Sequence, residues 1–234
     1  MTDQIDTILD EVGGGEVSWT LIGEDSPQLT ELPTQWRQIA STSNAHDRCQ
    51  HALTLWGTDI RILLPNFFRK FQERLTDAAV FQRQDGDTCE YVLIYVAGTA
   101  RDGFPALWLG WEPAEPEQQN SAFFNCFPPA MKHFLREVHS GFTAQDWESY
   151  GILRPSTWES FDGYDWFPEE SFQQIEAEPS EVMWFTKDSG QLYYCISSRF
   201  PVGKIRLAYE GNFDPLSDFA SELDELLSDR WELL

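Results

Sequence analysis

The chain has 234 residues, 41% of them apolar and 15% aromatic, with ten Trp and seventeen Phe. That is more buriable ring surface than a disordered chain carries, so a folded globular protein is expected. Sixteen Lys and Arg stand against thirty-nine Asp and Glu, a net charge of −23, which repels a phosphate backbone and argues against nucleic-acid binding.

Residues 1–16 read as a flexible acidic N-terminus, in which the segment 1–15 ends in Gly13, Gly14 and Gly15. No Lys-Ser/Thr pair follows these glycines, so they read as a flexible stop rather than a phosphate loop. The N-terminus carries acids where a secretory signal needs Lys or Arg. No apolar run approaches the roughly 20 residues that span a bilayer. The expectation is a cytoplasmic protein that does not enter a membrane.

Residues 17–111 read as an N-terminal α+β extension. Amphipathic pieces around 32–39 and 49–56 suggest two helices. A clearer helix covers 65–75, where Phe67, Phe68, Phe71 and Leu75 share one face. Arg61, Arg69, Lys70 and Arg74 make the same region a local positive patch. The run EYVLIYVA at 90–97 reads as a buried strand, paired with ALWLGW at 106–111 across the turn-rich GTARDGFP. The Pro- and Glu-rich stretch within 112–122 reads as a connector.

Residues 123–234 read as a second unit. Pro128 and Pro129 open a helix with Met131, Phe134, Leu135 and Val138 at helical spacing, and Ser140-Gly141 supplies a stop. Runs at 182–186, 191–197 and 204–209, punctuated by KDSG and FPVG, suggest an antiparallel meander. Asp214 and Pro215 are placed to open a last helix. In it Leu216, Phe219, Leu223, Leu226 and Leu227 face the core, with Asp218, Glu222, Asp224, Glu225 and Asp229 opposite. The fold class is α+β, an antiparallel sheet flanked by helices with an N-terminal helix and strand extension.

A search for reactive groups returns little. Cys49, Cys89, Cys126 and Cys195 are widely spaced and read as reduced thiols packed like small apolar residues. His46, Cys49 and His51 fit no established zinc spacing, and His133 and His139 do not converge on a helix. The acidic turns at Asp85/Asp87 and Asp162/Asp165 lack the ligand pattern and closing Glu of an EF-hand. No cofactor, metal or catalytic constellation is expected.

The second unit resembles the SMI1/KNR4 (SUKH) family. The resemblance rests on FPPAMKHFLREV at 127–138 followed by Ser140-Gly141-Phe142, then YGILRPS at 150–156. It continues with the strand VMWFT, the turn Asp188-Ser189-Gly190, the strand QLYYCI, and a final strand and closing helix. It implies an immunity protein that neutralises a cognate bacterial toxin by direct contact, with no catalytic residue of its own. A hydrolase that reverses a toxin's modification, or a scaffold with no toxin partner, are the alternatives. The expected packing residues are Phe127, Phe134, Leu135, Val138, Ile152, Trp184 and Tyr194, with Gly151 and Gly190 serving turns.

Contact with a partner must use exposed groups. The stretch 158–170, WESFDGYDWFPEE, alternates rings with acids. Within it Asp162, Tyr164, Asp165, Trp166, Glu169 and Glu170 are the candidate partner-binding residues. Trp and Tyr anchor interfaces, and the carboxylates suit a basic toxin surface. Rings tucked beneath the loop as a satellite core are the competing reading.

Overall fold

The computed structural model describes residues 9, 17–99, 105–114, 121–146 and 148–233. Apart from Leu9, the acidic terminus 1–16 lies outside the described residues, as do 100–104 of the expected turn and 115–120 of the expected connector.

The chain is α+β, with two antiparallel sheets. The first has the order β1–β2–β3–β4–β5: β1 (Val17–Ile22), β2 (Leu75–Asp85), β3 (Thr88–Thr99), β4 (Pro105–Trp111) and β5 (Phe142–Ala144). Between β1 and β2 lie α1 (Thr34–Ala40), α2 (Ala45–Thr54), α3 (Gly57–Leu63) and α4 (Pro65–Arg74). Asn44 caps α2 by accepting a hydrogen bond from the Asp47 amide at 3.2 Å. All seven residues of β4 are buried, as expected of a strand covered on both faces.

After β4 come α5 (Ser121–Cys126) and α6 (Pro129–Glu137), and only then β5, which pairs back onto β4. The second sheet follows. It comprises β6 (Glu159–Ser160), β7 (Val182–Lys187), β8 (Tyr193–Ser197), β9 (Lys204–Tyr209) and β10 (Asn212–Phe213), with β11 (Ser217–Asp218) also on β9. The short helix α7 (Glu169–Gln174) lies between β6 and β7, and α8 (Phe219–Leu233) closes the chain.

Residues from both sides of 112–122 meet in one core. Trp36, Trp56, Phe67 and Phe71 pack with Phe134, Phe142, Leu223 and Trp231. The segment 149–153 laces the two sheets together. On one side the Phe142 amide donates to the Ile152 carbonyl at 2.8 Å. On the other, the Tyr150 and Leu153 amides donate to the carbonyls of Lys187 and Phe185, each at 3.0 Å. The passage is so close that a Cβ on Gly151 would stand 1.8 Å from the Phe142 carbonyl oxygen. Gly151 therefore permits a close approach of backbones. The left-handed turn positions fall instead on Tyr150 (φ 49°) and Gln191 (φ 66°), and not on Gly151 or Gly190.

The terminal helix corrects three expectations. It starts at Phe219, four residues later than Pro215, because Ser217 and Asp218 pair with Ile205 and Lys204 of β9. Asp218 is its cap, accepting from the Ala220 and Ser221 amides at 3.1 and 3.2 Å. Leu216 accordingly lies outside the helix and is exposed. Asp224 is not on a solvent face: it is 5% exposed. Its carboxylate accepts from the Asn66 amide, the Asn66 side chain and the Phe67 amide at 3.1, 2.8 and 2.7 Å. It caps the first turn of α4, whose Pro-led start leaves those donors open.

The positive patch on α4 completes the same contact. Lys70 and Arg74 donate to the Ser228 and Trp231 carbonyls at 3.3 and 2.9 Å, where the C-terminal end of α8 favours cations. The two helices thus cap one another across most of the sequence.

The cysteines divide. Cys49 and Cys195 are buried, and burial pushes the Cys49 thiol up to about 11. Cys89 is exposed and Cys126 half-buried, so the expectation that all four pack as apolar residues holds for two.

Candidate functional site

The inner faces of both sheets feed the main core, so candidate surfaces lie on the outer faces and at strand ends. On the outer face of the second sheet, Val182, Cys195 and Ala208 are covered by the segment 161–177. It contributes Phe161, Phe167, Phe172 and Ile175 to a separate cluster. Burying each of these side chains contributes about 1.5–3 kcal/mol. Phe213 closes the cluster from β10 at 5.0 Å from Phe167.

Both readings of the 158–170 stretch thereby apply, to different residues. Trp158, Phe161 and Phe167 are buried at 7%, 1% and 5% exposure, whereas Trp166 remains 47% exposed. Trp166 sits over Tyr193 with ring centroids 5.3 Å apart and meets Phe167 edge-on at 4.9 Å. Tyr164, half-buried, lies 5.8 Å from Trp166 and donates to Glu159 Oε2 at 2.6 Å. Burial first, then the Glu159 bond, pushes its phenol up. The exposed Trp is therefore seated on a packed base of rings.

Asp162, Asp165, Glu169 and Glu170 are all exposed around this lobe. Glu169 and Glu170 occupy the first turn of α7, where carboxylates suit the helix end. The lobe is tied down at its far side. Ser171 donates to the Gly211 carbonyl, and Pro168 packs against Gly211 in the β9–β10 turn. All six expected partner-binding residues thus lie on one short lobe. Among the described residues, none of the four carboxylates pairs with Lys or Arg.

The basic residues are mostly engaged within the fold. Arg37 donates to the Leu32 and Thr30 carbonyls and Arg61 to the Leu53 carbonyl. Arg48 is held by Asp77 at 2.7 Å. With Lys70 and Arg74 bonded from α4 to carbonyls of α8, much of the positive charge is fixed to internal acceptors. The outward carboxylates are left to set the field around the molecule.

A second candidate is a recess of about 240 Å³ at the end of β3 and β4, lined by Glu90, Tyr91, Trp111, Glu112 and Arg154 among others. Burial and the nearby Glu90 charge push the Glu112 carboxyl up. Glu90 is braced by Arg83 at 3.2 Å and Arg154 at 2.5 Å, and the Arg154 guanidinium lies 3.9 Å over Trp111. Sequence reasoning missed this group, because its members come from strands and a loop far apart in the chain. Among the described residues, no His or Lys lines the recess. Its charged groups brace a corner where the halves meet.

His139 is a strongly perturbed titratable group in the core. It is 0% exposed, with its Nε2 2.7 Å from the Tyr95 hydroxyl and its Nδ1 3.3 Å from the Trp111 carbonyl oxygen. A carbonyl only accepts, so Nδ1 carries the proton and Tyr95 donates to Nε2. Trp56 Nε1 in turn donates to Tyr95 at 3.2 Å. Burial pushes the His139 pKa down to about 3. Gly110 makes room for the ring, since a Cβ there would lie 2.4 Å from His139 Cε1. His133 is exposed on α6, and the two histidines stay apart. His139 is a satisfied structural residue.

No group of three or more metal-ligating side chains forms among the described residues. Nor is any described helix long and apolar enough to cross a membrane. Comparisons with models of known protein families, with curated proteins and with solved structures find no match for this chain.

Proposed function

We propose that this chain is a protein-binding inhibitor whose lobe at 158–170 docks on a basic protein surface. In its specific form it is a cytoplasmic immunity protein of the SMI1/KNR4 type that occludes the active site of a cognate toxin. The observation that carries the reading is Trp166, 47% exposed yet fixed on a base of packed rings and flanked by carboxylates that pair with no Lys or Arg among the described residues. A rigid aromatic anchor binds with little ordering cost, and surrounding charge steers the encounter. The net charge of −23 supports the same direction of steering.

Occlusion is stoichiometric, so one molecule of this chain silences one toxin molecule. The direct test is titration against the product of the adjacent gene, following its toxic activity. Inhibition complete at equal amounts supports the reading. Restoration of an already modified target by trace amounts of the chain supports a hydrolase instead. Association that slows steeply with added salt is expected from an acidic face meeting a basic one.

A further inference from the structure

The fold repeatedly places a cation between a Trp ring and a carboxylate. Arg154 lies 3.9 Å over Trp111 while bonded to Glu90 at 2.5 Å. Lys187 lies 5.7 Å over Trp184 while bonded to Glu148 at 2.7 Å. In each case the ring supplies a negative face and the carboxylate fixes the cation above it.

Trp166 presents the same two ingredients outward. Phe167, Tyr164 and Tyr193 hold its indole from the protein side at 4.9, 5.8 and 5.3 Å, and nearly half of it faces solvent. Asp162 and Asp165 precede it within four residues, and Glu169 and Glu170 follow within four. We infer that Trp166 receives an arginine side chain of the partner, the guanidinium stacked on the indole and hydrogen-bonded to the flanking carboxylates. Arginine fits better than lysine because its planar, weakly hydrated head stacks on a ring while keeping in-plane donors for carboxylates. This deepens the lobe reading above and rests on it.

The probe is a short capped peptide, Gly-Arg-Gly-Arg-Gly, against the same peptide with citrulline at both Arg positions. Citrulline keeps the planar shape and loses the charge. The readout is the indole N–H resonance that disappears in Trp166→Phe, which identifies it among the ten Trp. The arginine peptide is expected to move this resonance saturably, and the citrulline peptide to bind about 10-fold more weakly or worse. Asp162→Asn with Asp165→Asn lowers the response to arginine. Equal responses to both peptides, or no movement of Trp166 at millimolar arginine peptide, overturn the inference.

With the toxin itself, Trp166→Leu is expected to weaken binding about 30-fold, the scale of an interface anchor. If reversing the four carboxylates weakens the complex and Trp166→Leu does not, the lobe still docks but the arginine stack is wrong. If neither change weakens it, the lobe reading itself falls.

Discussion

The seam between the two halves and the lobe over the second sheet treat their polar groups in opposite ways. At the seam, Asp224, His139 and the 149–153 backbone are buried, and their hydrogen bonds close on the protein itself. On the lobe most rings turn inward, while Asp162, Asp165, Glu169 and Glu170 stay in solvent with no basic partner among the described residues. Groups that satisfy one another stabilise a fold. Exposed groups fixed in place on a packed base are available to another molecule. Substitutions at the seam are therefore expected to change stability, and substitutions on the lobe, under the proposed function, to change recognition.

The largest effect is expected from Gly151→Ala. Its added Cβ meets a backbone carbonyl that cannot move without parting the sheets. Loss of about 4 kcal/mol or more, or failure to fold, is expected in denaturant unfolding. Asp224→Ala comes next. It strips the first turn of α4 of its acceptor and leaves buried amides open, at a cost of about 2–4 kcal/mol. A change under about 0.5 kcal/mol at either position contradicts the account of the seam.

The third effect depends on pH. The folded pKa of His139 is about 3, below the ordinary 6.5, so between these values the unfolded chain binds the extra proton. Stability is fully present above pH 6.5 and declines as pH falls toward 3, by a few kcal/mol in all. Glu112 and Glu222, whose carboxyls burial pushes up, act in the opposite sense. Comparison with His139→Gln isolates the histidine: that variant is less stable at neutral pH and loses less on acidification. An identical slope in both proteins removes His139 from the acid response.

The smallest stability effect is expected on the lobe. Changing Asp162, Asp165, Glu169 and Glu170 together to Lys alters unfolding by about 1 kcal/mol, mainly through the two charges at the start of α7. A much larger loss would place these carboxylates with the seam.

Periodicity made much of this fold legible. The strands β3, β4, β7, β8 and β9 and the helices α4 and α6 fall within a few residues of their expected places. β1 and β2 were not legible. Leu75–Asp85 carries Ala, Gln and charges in no alternation, and it becomes a strand because β1 and β3 pair with it on either side. Asp224 was misplaced because a helical wheel cannot register a cap made to Asn66 and Phe67, more than 150 residues away. Glu90 and Arg154, 64 residues apart, escaped for the same reason. On the lobe, composition pointed to the right stretch. Packing against β7, β8 and β10 then decided which rings turned in and left Trp166 out.

The central claim is that the lobe recognises a basic protein partner. Equilibrium binding of the product of the adjacent gene, measured with the parent and with the four-carboxylate Lys variant at low and moderate salt, tests it most directly. A complex of equal stoichiometry is expected, with a loss of about 100-fold or more in the variant and a much weaker salt dependence there. Unchanged affinity and salt dependence in a variant that still folds would contradict it.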